Sequence, residues 1–199
     1  AVRYSHHLWF DHLSVWDASD GLIDLTQGTN YVTVSWCKFF YTDRDNPHRL
    51  ASLVGGGAEH EDTDMGRNKV TYHHNWFANN IESRMPRYLF GQGHIYNNYY
   101  STTKNGYAIG VGVYASVLVE NNYFKDIDSP HGFMYPDRRP AYITAEGNIY
   151  DNTKGNIASG AATPEGYAPV EPFTEPPYDY VLDDAKDVPF LVMKYSGPQ

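Results

Sequence analysis

An all-β fold wound as a parallel β-helix is what this sequence predicts, on three observations. Short segments of alternating apolar residues recur along the chain. Their ends align on a column rich in asparagine. The intervals between them fall mostly in the low to middle twenties, with no helical period.

The segments are 32–39, 70–77, 95–100, 117–124 and 143–150, with 8–15 as an earlier, looser copy. Aligned on one column they give Leu13, Cys37, Asn75, Asn98, Asn122 and Asn148, at spacings of 24, 38, 23, 24 and 26 residues. Helical solenoids would need apolar residues at i, i+3, i+4 and i+7, a pattern that is absent, and leucine-rich repeats fail for lack of leucine. Each coil would stack short strands on the next, and an asparagine repeated at one turn can form a side-chain amide ladder.

The spacing of 38 contains an excursion, 40–68, with one strand expected at 50–54. Long loops on a solenoid tend to sit on its binding face. The acidic run 59–64 lacks EF-hand spacing and reads as a solvated loop. From Asp151 the pattern fades. Residues 151–199 are expected to pack back along the outside of the helix, with a short helix near 183–186, so that 1–199 is a single domain. The opening Ala1-Val2-Arg3-Tyr4 reads as the inside of a strand. N-terminal coils are therefore expected to be missing, making the chain the C-terminal portion of a larger domain.

Composition narrows the function. A net charge of −9 argues against bulk attraction to nucleic acid or an anionic membrane. An acidic polymer could be bound only locally or through a bridging cation. The 18 tyrosines suit strands and sugar-stacking surfaces. Tyr41, Tyr88 and Tyr114 are candidates for stacking, with core packing the plainer reading. The single cysteine, Cys37, leaves no intrachain disulfide. No apolar stretch is long enough to span a membrane as a helix.

Two stretches carry candidate chemistry. In 81–87, Pro86 cannot donate to a sheet ladder, so the piece reads as a loop between the strand-like runs 69–77 and 93–100. Arg84 and Arg87 would then be cations held at a strand end. In 17–24, Asp20 and Asp24 share a face of an extended strand but would stand about 13 Å apart. Only a bend at Gly21 could bring both to one Ca²⁺; otherwise they are two exposed aspartates near a turn. His73 and His74 are expected in a strand, one inward and one outward, with no metal. His6, His7 and His131 are expected at the surface, and Asp11–His12 reads as a structural pair.

Six pieces of sequence then occur in a telling order: Trp9-Phe10-Asp11-His12, Ser19-Asp20-Gly21-Leu22-Ile23-Asp24, Val32-Thr33-Val34-Ser35, Val70-Thr71-Tyr72-His73-His74-Asn75, Arg84-Met85-Pro86-Arg87 and His94-Ile95-Tyr96-Asn97-Asn98-Tyr99-Tyr100. Tyr107-Ala108-Ile109-Gly110 and Glu120-Asn121-Asn122-Tyr123-Phe124 follow. Together they resemble the pectate lyase family over about residues 1–125. The resemblance implies a right-handed parallel β-helix and a secreted, Ca²⁺-dependent enzyme that cleaves polygalacturonate, the de-esterified form of pectin, by β-elimination. It implies that Asp20 and Asp24 hold the metal, with a third carboxylate expected before Ala1, and that Arg84 is the base.

The chemistry suits those residue types. Elimination removes a very weakly acidic hydrogen α to the uronate carboxylate, and a cation there neutralises the charge that develops. A guanidinium ordinarily titrates above about 12. Either nearby cations lower it, or Arg84 acts through a bound water or as an electrostatic stabiliser.

Two departures stand out. The family pattern Arg-x-Pro-x-x-Arg has Leu89 at its second arginine, with Arg87 two residues away and expected on the other face. The family's lysine falls in register with Leu50, which makes the adjacent Arg49 a substrate-binding candidate beside Arg87. Alternatives are a pectin lyase on methylated substrate, against which the two aspartates argue, and a non-catalytic pectin-binding β-helix, which Leu89 makes plausible.

Overall fold

The computed structural model describes residues 1–199 as a parallel β-solenoid of about six turns. Three sheets run its length. The first stacks Val2–Arg3, Ile23–Thr26, Ser52–Val54, Arg87–Leu89, Ile109–Gly112 and His131–Met134. The second stacks His6–Asp11, Asn30–Ser35, Val70–His73, Gln92–Tyr96, Ser116–Glu120 and Ala141–Glu146, and closes on the antiparallel Gly160–Ala162. The third stacks Ser14–Trp16, Lys38–Phe40, Trp76–Phe77, Tyr99–Tyr100, Tyr123–Lys125 and Ile149–Asp151.

Alternation along each strand sends one set of side chains to the interior. In the first sheet that set is Val2, Leu25, Val54, Tyr88, Val111 and Phe133, in register from coil to coil. In the third, Phe39, Phe77, Tyr100, Phe124 and Tyr150 stack ring on ring, with centroids 4.5–5.5 Å apart and planes within 20°. Such pairs contribute roughly 0.5–1.5 kcal/mol each beyond the area they bury. In the second sheet, Val32, Val70, Val117 and Ile143 share a column with Gly93. Glycine interrupts the branched residues because the Tyr88 ring fills that space, 2.7 Å from where a Cβ would stand.

The strand-like run 69–77 is two strands, not one. It breaks at a corner where His74 has φ 55° and Asn75 follows. His12, Trp36, Asn97, Asn121 and Gly147 hold the same left-handed corner in the other coils. One such residue turns the chain from the second sheet to the third, and asparagine and glycine tolerate that conformation best. The next residue enters the ladder. Asn98 Oδ1 accepts from the N–H and Nδ2 of Asn75; Asn122 Oδ1 does the same for Asn98, and Asn148 Oδ1 for Asn122, all at 2.9–3.0 Å. Cys37 extends the row by donating its N–H to Asn75 Oδ1 at 3.0 Å.

Two histidine expectations are corrected, the first at this corner. His74 is not a strand residue: its ring stacks on Trp36 at 4.3 Å, its Nε2 meets Asp183 at 2.8 Å, and His73 Nδ1 lies 2.9 Å from its Nδ1. His131 is fully buried, bonded to the Ala158 carbonyl and the Tyr150 hydroxyl.

The final stretch runs back across the coils. Phe173 N–H donates to Ser116 Oγ, the Tyr178 hydroxyl meets Thr71 Oγ1 and His94 Nδ1, and the Asp183 carbonyl accepts from Asn97 and Asn121. A helix follows at Val188–Tyr195, later than the expected 183–186, where a Lys186–Asp184 pair closes a turn instead. Pro189 sits in its first turn, where its missing N–H costs nothing. Val188 and Val192 pack on Tyr99, between Trp76 and Tyr123.

Candidate active site

The outward row of the first sheet is the feature that gathers charge. Asp24, Leu53, Arg87, Gly110 and Gly132 stand in register across five coils. Inward neighbours such as Ile23, Leu25 and Tyr88 are buried, whereas Asp24 and Arg87 are half-buried.

Asp24 is shaped by Gly21. The strand does not begin until Ile23, and the chain bends through 19–22. The Asp24 carboxylate folds back so closely that a Cβ on Gly21 would stand 2.2 Å from Oδ1. The chain therefore bends at Gly21, where the sequence required it to. Oδ1 also accepts the Leu53 N–H at 2.9 Å. Burial pushes the Asp24 carboxyl above its ordinary range; the Leu53 N–H opposes that, Asp20 adds to it, and Arg84 opposes it again. Asp20 and Arg84 thus both lie within electrostatic reach of Asp24. Beneath them the Tyr41 hydroxyl donates to the carbonyls of Asp20 and Leu50, at 3.0 and 3.1 Å. Burial and the nearby aspartates push that phenol up to about 12.

Arg84 precedes the strand Arg87–Leu89 and takes φ 62°. A left-handed arginine costs roughly 1–2 kcal/mol, so the backbone around it must be held. Its carbonyl accepts the Ser52 N–H at 2.6 Å, and the next N–H donates to the Ala108 carbonyl at 2.7 Å. Tyr107, for which the sequence suggested no role, lies beside it. Burial raises this phenol, while the charges of Arg87 and Arg84 act to lower it. Past Tyr107 the row continues as Gly110 and Gly132, beside a cavity of about 180 Å³ that Tyr107, Ser129, Met134 and Asn156 also line. A Cβ on Gly110 would come within 2.8 Å of both Tyr107 and Met134.

Arg87 and Leu89 share a face, as residues two apart on a strand must; the expectation of opposite faces is corrected. Both meet Tyr135: the Arg87 guanidinium bonds its hydroxyl and lies 5.1 Å from its ring centroid, and Leu89 packs beside it with Phe90 and Val113. Arg49 commits its Nε to the Asn80 carbonyl and its Nη1 to those of Arg44 and Asn46, which braces the 41–49 loop. None of these bonds uses Nη2. The acidic run is not a solvated loop: Glu61–Asp64 is a helical turn, and buried Asp64 accepts the N–H groups of Gly28 and Gly56 at 2.6 and 2.9 Å.

Carboxylates are hard donors that suit a Ca²⁺ ion, but no group of three or more acidic, histidine or cysteine side chains is placed to hold a metal ion. Asp20 and Asp24 would supply only part of its coordination shell.

A family model described as pectate lyase matches residues 1–164. The chain is 35% identical over 216 residues to the pectate trisaccharide-lyase of Thermotoga maritima, covering 98% of this chain and 56% of that protein. It is 36% identical over 203 residues to pectate lyase A of Emericella nidulans, covering 98% and 55%. It spans about half the length of these curated relatives. Among solved structures, a Bacillus sp. N165 pectate lyase in complex with trigalacturonate superposes with a TM-score of 0.75 at 31% identity, covering 97% of this chain and 60% of that one. The major cedar pollen allergen superposes at 0.73 with 25% identity, covering 96% and 54%.

Proposed function

The chain belongs to the pectate lyase family, and from that premise we propose that it acts in the calcium-dependent cleavage of α-1,4-polygalacturonate by β-elimination. The observation that carries this reading is the Asp24 carboxylate, folded back onto Gly21, half-buried, and within electrostatic reach of both Asp20 and Arg84. A carboxylate held at some cost from burial and like charge is what a divalent cation would relieve.

In this proposal Asp20 and Asp24 hold Ca²⁺, which supplies neutralisation of the uronate carboxylate. Arg84, its backbone fixed by Ser52 and Ala108, would act in its neutral form: it takes the C5 hydrogen as a proton and afterwards gives that proton back to water, which restores the base. The C5–H electron pair becomes the C4=C5 double bond, and the glycosidic oxygen leaves C4 and takes a proton from water. Tyr107 lines the cavity beside Arg84 and orients the sugar acid. Arg49 braces the loop beside them and has Nη2 available for a carboxylate. A polymer of this size is met outside the cell, so secretion is part of the same proposal.

The test is turnover of polygalacturonate by the full chain, with calcium and with chelator, for the wild type and Arg84→Ala. Unsaturated product absorbing in the ultraviolet should appear with calcium, vanish with chelator and fall at least 100-fold in the variant, the scale expected for a lost proton-transfer group (about 10²–10⁴). Product that persists in chelator on methylated substrate would instead indicate a pectin lyase. Polymer binding without product would indicate a binding module.

A further inference from the structure

We propose that Arg87, Tyr135, Arg138 and Arg139 form a second carboxylate-binding subsite, which takes a uronate unit remote from the one being cleaved. The identity of the ligand as a sugar-acid polymer rests on the lyase reading; the site itself stands on separate geometry. A pocket of about 430 Å³ opens between these residues and Gly56–Glu59, within the range of roughly 300–1,000 Å³ usual for small-ligand sites.

Three observations point to an anion. First, the charge converges: the guanidinium carbons of Arg87 and Arg138 lie 5.1 and 5.9 Å from the centroid of the same Tyr135 ring. The Arg139 guanidinium joins the same pocket from over Tyr167, 5.5 Å from that ring. Second, the charge is scarcely neutralised. Neither Arg87 nor Arg139 pairs with any carboxylate, and Arg138 meets Asp137 only at 4.0 Å, with both side chains largely exposed. Glu59, the one acid lining the pocket, meets His60 instead. In a chain of net charge −9, three unmatched arginines in one hollow are a strong local reversal. Third, the Nε groups of Arg87 and Arg139 are buried with no acceptor in the protein. A buried donor without an acceptor is costly, and a carboxylate would satisfy it.

Position separates this subsite from Arg84. Asp20 and Arg84 precede their first-sheet strands, whereas Gly56–Glu59, Val113 and Tyr135–Arg139 follow theirs. A strand of three residues lies between, about 10 Å. A short oligomer seated at Arg84 would not reach; a longer one would. The Tyr135 ring supplies apolar surface for the sugar, and the guanidinium groups near it supply cations for its acid.

The test is equilibrium binding to the full chain on an Arg84→Ala background, with trigalacturonate, hexagalacturonate and fully methyl-esterified hexamer as probes. Arg138→Ala/Arg139→Ala should weaken the hexamer about tenfold, leave the trimer within about twofold and barely affect the esterified hexamer. Lys154→Ala, the same loss of charge at a remote exposed position, should change none of them. The subsite is overturned if hexamer and trimer weaken equally, if Lys154→Ala matches the double variant, or if the unsubstituted pocket binds no hexamer. If hexamer binding responds as expected while wild-type protein makes no unsaturated product, the lyase reading fails and the subsite stands.

Discussion

Asp24 and Arg87 occupy the same row of the first sheet, with Leu53 alone between them. An acid and a base two strands apart, about 10 Å at the backbone, form no ion pair: the Arg87 guanidinium turns to the Tyr135 hydroxyl, and Asp24 Oδ1 accepts the Leu53 N–H. Asp24→Asn keeps the shape and the Leu53 bond but removes the charge. Calcium affinity, measured by titration calorimetry, should fall at least tenfold, with folding stability changed little or raised, because burial and Asp20 both disfavour the ionised form.

Leu89→Arg restores the family's arginine in name only. Leu89 is fully buried beneath Phe90, Val113 and Tyr135. A guanidinium there has no carboxylate to meet, and a loss of about 3 kcal/mol or more is expected from burying it. Urea unfolding should show that loss, with no gain in turnover.

Asn98→Ala interrupts the ladder at its middle. It removes the acceptor for two Asn75 donors and the donor for the carbonyls of Tyr72 and Tyr96. Each buried group left unsatisfied costs roughly 1–3 kcal/mol. The midpoint of urea unfolding should drop by more than for Asn148→Ala, whose side chain stands at the ladder's more open end.

Acid sensitivity should trace to His131 and His73, each of whose pKa burial lowers from 6.5 to about 4. The folded state therefore holds both neutral. Between about pH 6.5 and 4 the unfolded chain binds protons that the folded chain refuses, and stability declines as pH falls through that window. The full effect at His131 is on the order of 3 kcal/mol. His131→Gln should be less stable at pH 7 yet show a flatter stability profile from pH 6.5 to 4.

Tyr178→Phe should loosen the returning stretch. Its hydroxyl is the link to both Thr71 and His94, and His94 in turn is tied to Glu120 at 2.6 Å. Faster proteolytic cleavage within 163–187, with the coils intact, is the expected readout.

The coils were legible because their signal is repeated. A column of asparagines at near-constant spacing is visible without any neighbour being known, and the ladder follows from it. The corner was less legible: His74 and Trp36 sit left-handed where asparagine sits in other coils, so the alternating pattern ran straight through the turn. His131 was misread as surface because a lone histidine carries no mark of the Tyr150 hydroxyl and Ala158 carbonyl that satisfy it. At the candidate site, Asp20, Asp24 and Arg84 stood out through the motif that contains them. Tyr107 and the arginines around Tyr135 did not, because they converge from different coils and no stretch of sequence holds them together.

The corner sets what changes in length this architecture tolerates. A left-handed residue followed at once by the ladder residue fixes the phase of every winding relative to the one before it. Growth or shrinkage by a whole winding preserves that phase, and lengthening inside the excursions at 41–49 and 55–69 leaves it untouched. One residue inserted between His74 and Asn75 would put the amide out of step with Asn98 and turn every inward ring of that winding toward water. Variation should accordingly collect in the excursions, beside the groove, where new side chains can alter what is gripped without disturbing what grips it.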